Sequence, residues 1–253
     1  MIKCFKIFAF LLTGTFLLSS CDADIPVATL KVKYQKSNSE FIDIDGMPVH
    51  TIVEGKLDDS LPIVFIHGTS ASLHTWDTLS SLLKANKKII RFDLPAFGLT
   101  GPNRLNQYNF NFYNQFIDEL LLKLNVTKCI VAGNSLGGSI AWNYAIASPD
   151  KVKQLILLDA SGYPKKDEKG SLGFKLAAIP VLNQALKHIS PISLIRKSLE
   201  DAFYNKAFVT EKMVQQYHDM LLREGNRAAV LELFQHPMKP DATKIKTITQ
   251  PTL

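Results

Sequence analysis

Short apolar runs recur along the first two thirds of the chain, at Leu61–Ile66, Lys88–Phe92, Lys128–Ala132 and Val152–Leu158. Each is nearly continuous rather than alternating, which is the pattern of a strand covered on both faces. Between them, apolar positions fall at helical spacing over Leu73–Ala85, Asn111–Leu124 and Leu136–Ala147. Strand and helix in alternation predict a mostly parallel sheet with helices on both faces. Ahead of this series, Phe41 to Gly55 alternates around Asp45-Gly46, which predicts a hairpin closed by a two-residue turn. Past Gly162 the rhythm changes. Residues 163–240 carry helical periodicity at Phe174–Leu186, Ile192–Tyr204, Glu211–Arg223 and Arg227–Phe234, punctuated by Pro180, Pro191, Pro237 and Pro240. A helical block of that size after a parallel sheet predicts a cap, with 241–253 returning to the core.

The N-terminus follows a different logic. Lys3 and Lys6 flank an apolar run, Ile7–Leu18, too short to span a bilayer, and small residues follow it. Residues 1–20 read as a secretory signal, and Leu18-Ser19-Ser20-Cys21 resembles the bacterial lipobox. That resemblance implies acylation of Cys21 and a lipid anchor on the outer side of a bacterial membrane, in the cell envelope. Residues 21–40, polar and poor in large apolar side chains, read as a tether, leaving 41–162 as the core domain. Removing residues 1–20 lowers the net charge only from +6 to +4, and no basic run accompanies it, so a nucleic-acid partner is not expected. Of the cysteines, Cys129 alone lies beyond Cys21, inside an apolar run where it reads as a small buried hydrophobe.

The chemistry concentrates at Gly133-Asn134-Ser135-Leu136-Gly137-Gly138, where an apolar run passes through G-x-S-x-G into an Ala-containing helical stretch. A sharp strand-to-helix turn lifts one serine above a sheet and points a helix N-terminus at it. Gly133 and Gly137 fit the crowding such a turn imposes. A phosphate loop is the competing pattern, but Ser139 stands where its lysine belongs. Two further loops leave strand ends, His67-Gly68-Thr69-Ser70 and Asp93-Leu94-Pro95-Ala96-Phe97-Gly98. With the elbow, and with Leu157–Gly162 leading into the cap, they occur in the order found in α/β-hydrolases, and residues 41–253 resemble that family.

The resemblance implies that Ser135 is a nucleophile, that the N–H groups of Thr69 and Leu136 form an oxyanion hole, and that His67 and Gly68 shape the loop beside it. It gives His67 a backbone-holding role rather than that of base, and Asp93 the role of a loop-structuring carboxylate. In this fold the triad acid and then the histidine follow the cap. The final Gln250-Pro251-Thr252-Leu253 resembles the start of the strand leading to the acid, so the chain reads as C-terminally truncated, with its last strands missing and this fragment inactive. Asp159 is retained as an alternative acid, while His188, His218 and His236 all fall in the cap. The implied activity is hydrolysis of an ester, and Phe174, Leu176, Leu182 and Leu186 suggest an apolar acyl or alkyl group. Hydrolysis of a C–C bond, as in meta-cleavage-product hydrolases, and non-catalytic binding in a capped pocket are the alternatives. Relatives that open epoxides or remove halides carry Asp where this chain has Ser135. No metal cluster or cofactor motif is present in the sequence, and none is expected.

Overall fold

The computed structural model describes residues 23–163 and 189–253. Its strands are β1 (Ser39–Ile44), β2 (Met47–Gly55), β3 (Ile63–Ile66), β4 (Lys88–Phe92), β5 (Cys129–Asn134) and β6 (Val152–Leu158). The helices among the described residues are α1 (Val27–Tyr34), α2 (Asp77–Leu83), α3 (Phe110–Lys123), α4 (Leu136–Ala147), α5 (Ile192–Ala202), α6 (Glu211–Leu222) and α7 (Asn226–Gln235). The strands form a mixed six-stranded sheet in the order β1-β2-β4-β3-β5-β6. The hairpin β1–β2 is antiparallel, as is its junction with β4, and the remaining pairs are parallel. Asp45 and Gly46 close the hairpin with φ of 51° and 74°, the double positive φ of a type I′ turn.

Alternation inside the parallel strands explains why their sequences look uniformly apolar. Val64, Ile66, Ile90, Phe92 and Val131 face one layer, built from α3 and α4. Ile63, Phe65, Ile89, Ile130 and Ala132 face the other, where the Trp76 ring stacks on Phe65 at 4.6 Å. Both faces are therefore covered, and neither can carry a polar register. Arg91 is the exception within β4. It is 2% exposed and is held by Glu54 at 2.7 Å and by Asp77, so the charge is buried only with partners on both sides.

The structure departs from the sequence expectations in specific places. Leu73–Ala85 is a 3-10 turn over Leu73–Trp76 followed by the short α2, and the Leu73 N–H at its start is bonded to Asp93 Oδ1 at 2.7 Å. The tether expected over residues 21–40 does not describe the chain from Asp24 onward. Val27–Tyr34 is helical, and Leu30, 1% exposed, packs with Leu99 and Met220. One inward leucine on a mostly polar helix is too sparse a pattern to be read from sequence. Past Gly162, α5, α6 and α7 lie within two residues of their expected bounds, whereas Phe174–Leu186 falls outside the described residues, as does Cys21. At the other end, Pro251–Leu253 pair with the outer edge of β6: Leu155 N–H donates to Pro251 O at 3.0 Å and Leu157 N–H to Leu253 O at 2.8 Å.

Candidate active site

Strand β5 lies between β3 and the edge strand β6, and its carboxyl end carries the elbow. There Ser135 takes φ 52° and ψ −116°, a conformation that L-residues rarely adopt, and α4 begins at the next residue. Its backbone is pinned from several sides. Ser135 N–H donates to Leu158 O at 3.1 Å, and its carbonyl accepts from Ser139 N–H, from Ser161 N–H and from Ser161 Oγ at 3.0–3.1 Å. Asn134 Nδ2 adds a bond to the same Leu158 carbonyl at 3.0 Å. The unfavourable turn is thus imposed by β6 and the residues just past it.

The glycines around it are fixed by close approach. A Cβ on Gly133 would fall 2.2 Å from the Gly137 carbonyl oxygen, and one on Gly137 would fall 2.2 Å from that of Ile66. Helix α4 therefore crosses β5 and β3 at a distance no side chain permits. Gly137→Ala is expected to cost about 3 kcal/mol or more, because the obstructing atom is backbone and cannot swing away. Thermal unfolding would show it, and a variant melting within about 2 °C of the parent would contradict the packing.

The turn after β3 lies against the serine. A Cβ on Gly68 would sit 3.3 Å from Ser135 Cβ, and Ala71 N–H closes the turn on Gly68 O at 3.3 Å, with Ser70 at φ 57°. Thr69, inside that turn, and Leu136, first residue of α4, have N–H groups with no acceptor among the described residues. The Ser135 hydroxyl likewise has no hydrogen-bond partner among them. A half-buried serine at a helix N-terminus, beside unpaired N–H groups, is suited to receive developing negative charge.

His67 holds two loops together. Its Nε2 accepts from Leu94 N–H at 2.9 Å and its Nδ1 donates to Gly68 O at 2.8 Å, which fixes the neutral Nδ1–H tautomer. Burial pushes its pKa down, against the pull of Asp93. Asp93 anchors the same region from beneath. It is fully buried and accepts from His50 Nδ1 at 2.8 Å, Leu73 N–H at 2.7 Å and Leu99 N–H at 2.8 Å. Burial alone would raise its pKa, but His50, with His67 and His74 beyond it, holds the carboxyl at about 2. The His50–Asp93 pair was not legible in the sequence, since His50 lies in an alternating strand that gives no hint of its partner. A Cβ on Gly98 would fall 2.2 Å from the Asp93 carboxyl carbon, which ties the glycine of the D-x-P-x-x-G loop to that carboxylate.

The other histidines are engaged elsewhere. His74 bonds to Ser72 Oγ and to Tyr34 O, His218 Nε2 to Ser190 O at 2.7 Å, and His236 lies 3.5 Å from Glu232. His188 lies outside the described residues. Asp159 is exposed just past β6, at φ 46°, and has no histidine bonded to it among the described residues. Cys129 is fully buried, and burial raises its thiol to about 12, so it is not a nucleophile.

A pH effect follows. Burial depresses the pKa of His67 and, chiefly through burial, of His74 below 6.5, so the unfolded chain binds protons that the fold refuses. Stability is complete above pH 6.5 and is lost as pH falls below it, by up to about 1.4 kcal/mol per pH unit for each group. Denaturant unfolding at pH 7.5 and 5.5 measures the slope, and a flat profile would show that these rings are protonated in the fold.

A small cleft is lined by Ser70, Phe97 and Gly98 from the loops after β3 and β4 and by Met220, Leu221 and Val230 from α6 and α7. The α6–α7 turn closes onto the core there, through Asn226 Nδ2 to Gly98 O at 3.0 Å and Arg223 to Thr100 O at 3.3 Å. A sequence model of the alpha/beta hydrolase fold matches residues 62–178. The chain has the α/β-hydrolase fold. This α/β-hydrolase-fold protein is 25% identical over 194 residues to an uncharacterized hydrolase, YugF, of Bacillus subtilis, covering 76% of this chain and 70% of that one. It is 31% identical over 147 residues to the 1-acylglycerol-3-phosphate O-acyltransferase ABHD5 of Sus scrofa, covering 55% of this chain. It spans only 41% of the length of that relative. Its structure resembles a meta-cleavage product hydrolase from Pseudomonas fluorescens, with TM-score 0.69, 20% identity, and coverage of 85% of this chain and 76% of the other.

Proposed function

We propose that this protein is a serine hydrolase that cleaves a carboxylic ester through an acyl-enzyme on Ser135. The Oγ attacks the carbonyl carbon, and the electron pair moves to the carbonyl oxygen, held by the N–H groups of Thr69 and Leu136. Collapse of this adduct expels the alcohol, which leaves with a proton, and water then releases the acid and restores the serine. The observation that carries the reading is the strained, half-buried Ser135 set at a helix N-terminus between two unpaired N–H groups. Donors of this kind contribute roughly 3–4 kcal/mol each to transition-state stabilisation.

The proton acceptor is proposed to come from outside the described residues. We also propose that Cys21 carries a lipid that anchors the protein to the outer side of a bacterial membrane. Expressed from its whole coding sequence, the protein should be labelled at Ser135 by a fluorophosphonate, with the modified peptide located by mass spectrometry. A folded protein that takes up no label would overturn the reading in favour of a binding role. The Gly133–Gly138 sequence also suits hydrolysis of a C–C bond in a vinylogous diketone. Loss of such a substrate's chromophore without turnover of simple esters would favour that second reading.

A further inference from the structure

The N-terminal segment is docked, and its docking site decides where a lipid at Cys21 would hold the molecule. Asp24 is bonded to Arg227 at 2.5 and 3.1 Å. Ile25 N–H donates to Leu222 O at 2.7 Å, and Ile25 O accepts from Glu224 N–H at 3.0 Å. Farther along, Lys33 and Tyr34 both bond to Asp219 at 2.6 Å. The chain is therefore fastened to the end of α6 and the α6–α7 turn before it reaches the hairpin. A free tether over residues 21–40 would let the domain wander by roughly 25 Å. With the docked segment, only the residues between Cys21 and Asp24 remain, a reach of about 11 Å.

We propose that the α6–α7 edge of the cap, with the outer side of α1, is the face held against the membrane, and that the site draws its ester from that lipid layer. This rests on the anchor at Cys21 and on the serine hydrolase reading above. Two further observations support the membrane as the occupant of this face. Val32 on α1 is 90% exposed, and the neighbouring Lys31 has no carboxylate partner among the described residues, whereas Lys33 and Lys36 are paired with Asp219 and Asp77. The cleft that Ser70, next to Thr69, lines is also lined by Met220 and Leu221, the latter one residue from the Leu222 carbonyl that holds Ile25. Anchor and cleft thus share one end of α6.

The test uses the lipidated protein in vesicles of phosphatidylglycerol and phosphatidylcholine that contain a nitroxide-labelled lipid. A fluorophore is placed at Ala228→Cys, exposed on α7, or at Leu57→Cys, exposed between β2 and β3 at the opposite end of the sheet. Quenching at position 228 is expected to exceed that at 57 at least threefold, and equal or reversed quenching would overturn the orientation. In parallel, a 20-residue Gly-Ser insertion between Ala23 and Asp24 leaves the strap docked and lengthens only the free link. It should lower turnover of a vesicle-borne ester at least fivefold and leave that of a soluble ester unchanged; equal loss on both, or on neither, rejects delivery from the membrane. A protein that carries no acyl group and does not float with vesicles removes the anchor and this proposal together. Fluorophosphonate labelling in detergent reports on the serine alone, so its failure is read separately.

Discussion

Replacing Ser135 with alanine is expected to abolish fluorophosphonate labelling and to lower ester turnover by about 10⁴–10⁶-fold, with the fold intact. The magnitude follows from what is lost. Removal of Oγ eliminates the covalent route, while the N–H groups of Thr69 and Leu136 remain to bind and polarise a carbonyl. Stability should scarcely change, because Oγ has no partner among the described residues and the backbone is held through the Ser135 N–H and carbonyl instead. Glycine at the same place separates strain from chemistry. At φ 52° and ψ −116° any L-residue is strained, so Ser135→Gly should be equally inactive yet about 1 kcal/mol more stable than Ser135→Ala. An alanine variant with appreciable turnover would move the nucleophile elsewhere. A glycine variant less stable than alanine would mean that the turn is not strained.

The second large effect is on the fold. Asp93→Ala is expected to cost about 3–5 kcal/mol, because it strands three buried donors at once: His50 Nδ1–H, Leu73 N–H and Leu99 N–H. For a domain of this size that corresponds to a fall of roughly 10 °C in Tm, readable by calorimetry. The same carboxylate contributes to the acid limit of the protein, together with Asp59, which Lys87 also holds at about 2. The Asp93 pKa is depressed, so its contribution is complete above the ordinary value of 3.8 and disappears as pH falls through about 2. Loss of stability in acid should therefore come in two stages: the buried imidazoles below pH 6.5, then Asp93 below about 4. In Asp93→Ala the second stage should shrink, leaving the part carried by Asp59, Asp77 and Asp219. If it persists unchanged, other carboxylates carry it.

Most of the sheet was legible because burial on both faces leaves a dense signature. Lys88–Phe92 and Val152–Leu158 are strands at the bounds their apolar runs suggest, and Leu136–Ala147 is a helix at its expected ends. The elbow was legible too, since a turn this tight excludes side chains at Gly133 and Gly137 and so writes itself into composition. The partners of polar groups were not. Nothing near His50 in sequence points to Asp93, 43 residues later, nor does anything near Ser135 point to Ser161, whose N–H and hydroxyl both hold its carbonyl. Hydrogen bonds between distant residues leave no periodicity.

The segment before the hairpin marks the same boundary most sharply. Its polar composition suggests a free tether, yet Leu30 and a few bonds to Asp219, Leu222 and Arg227 bind it to α6 and α7. By itself the sequence determined the layers of the fold, the place of the serine and the residue types around it, because these follow from local periodicity and steric exclusion. Only the tertiary structure decided which donors are left unpaired beside Ser135, which histidines are already engaged, and where the N-terminal segment is fastened. Those depend on contacts between residues far apart in the chain, which form only once the layers have packed.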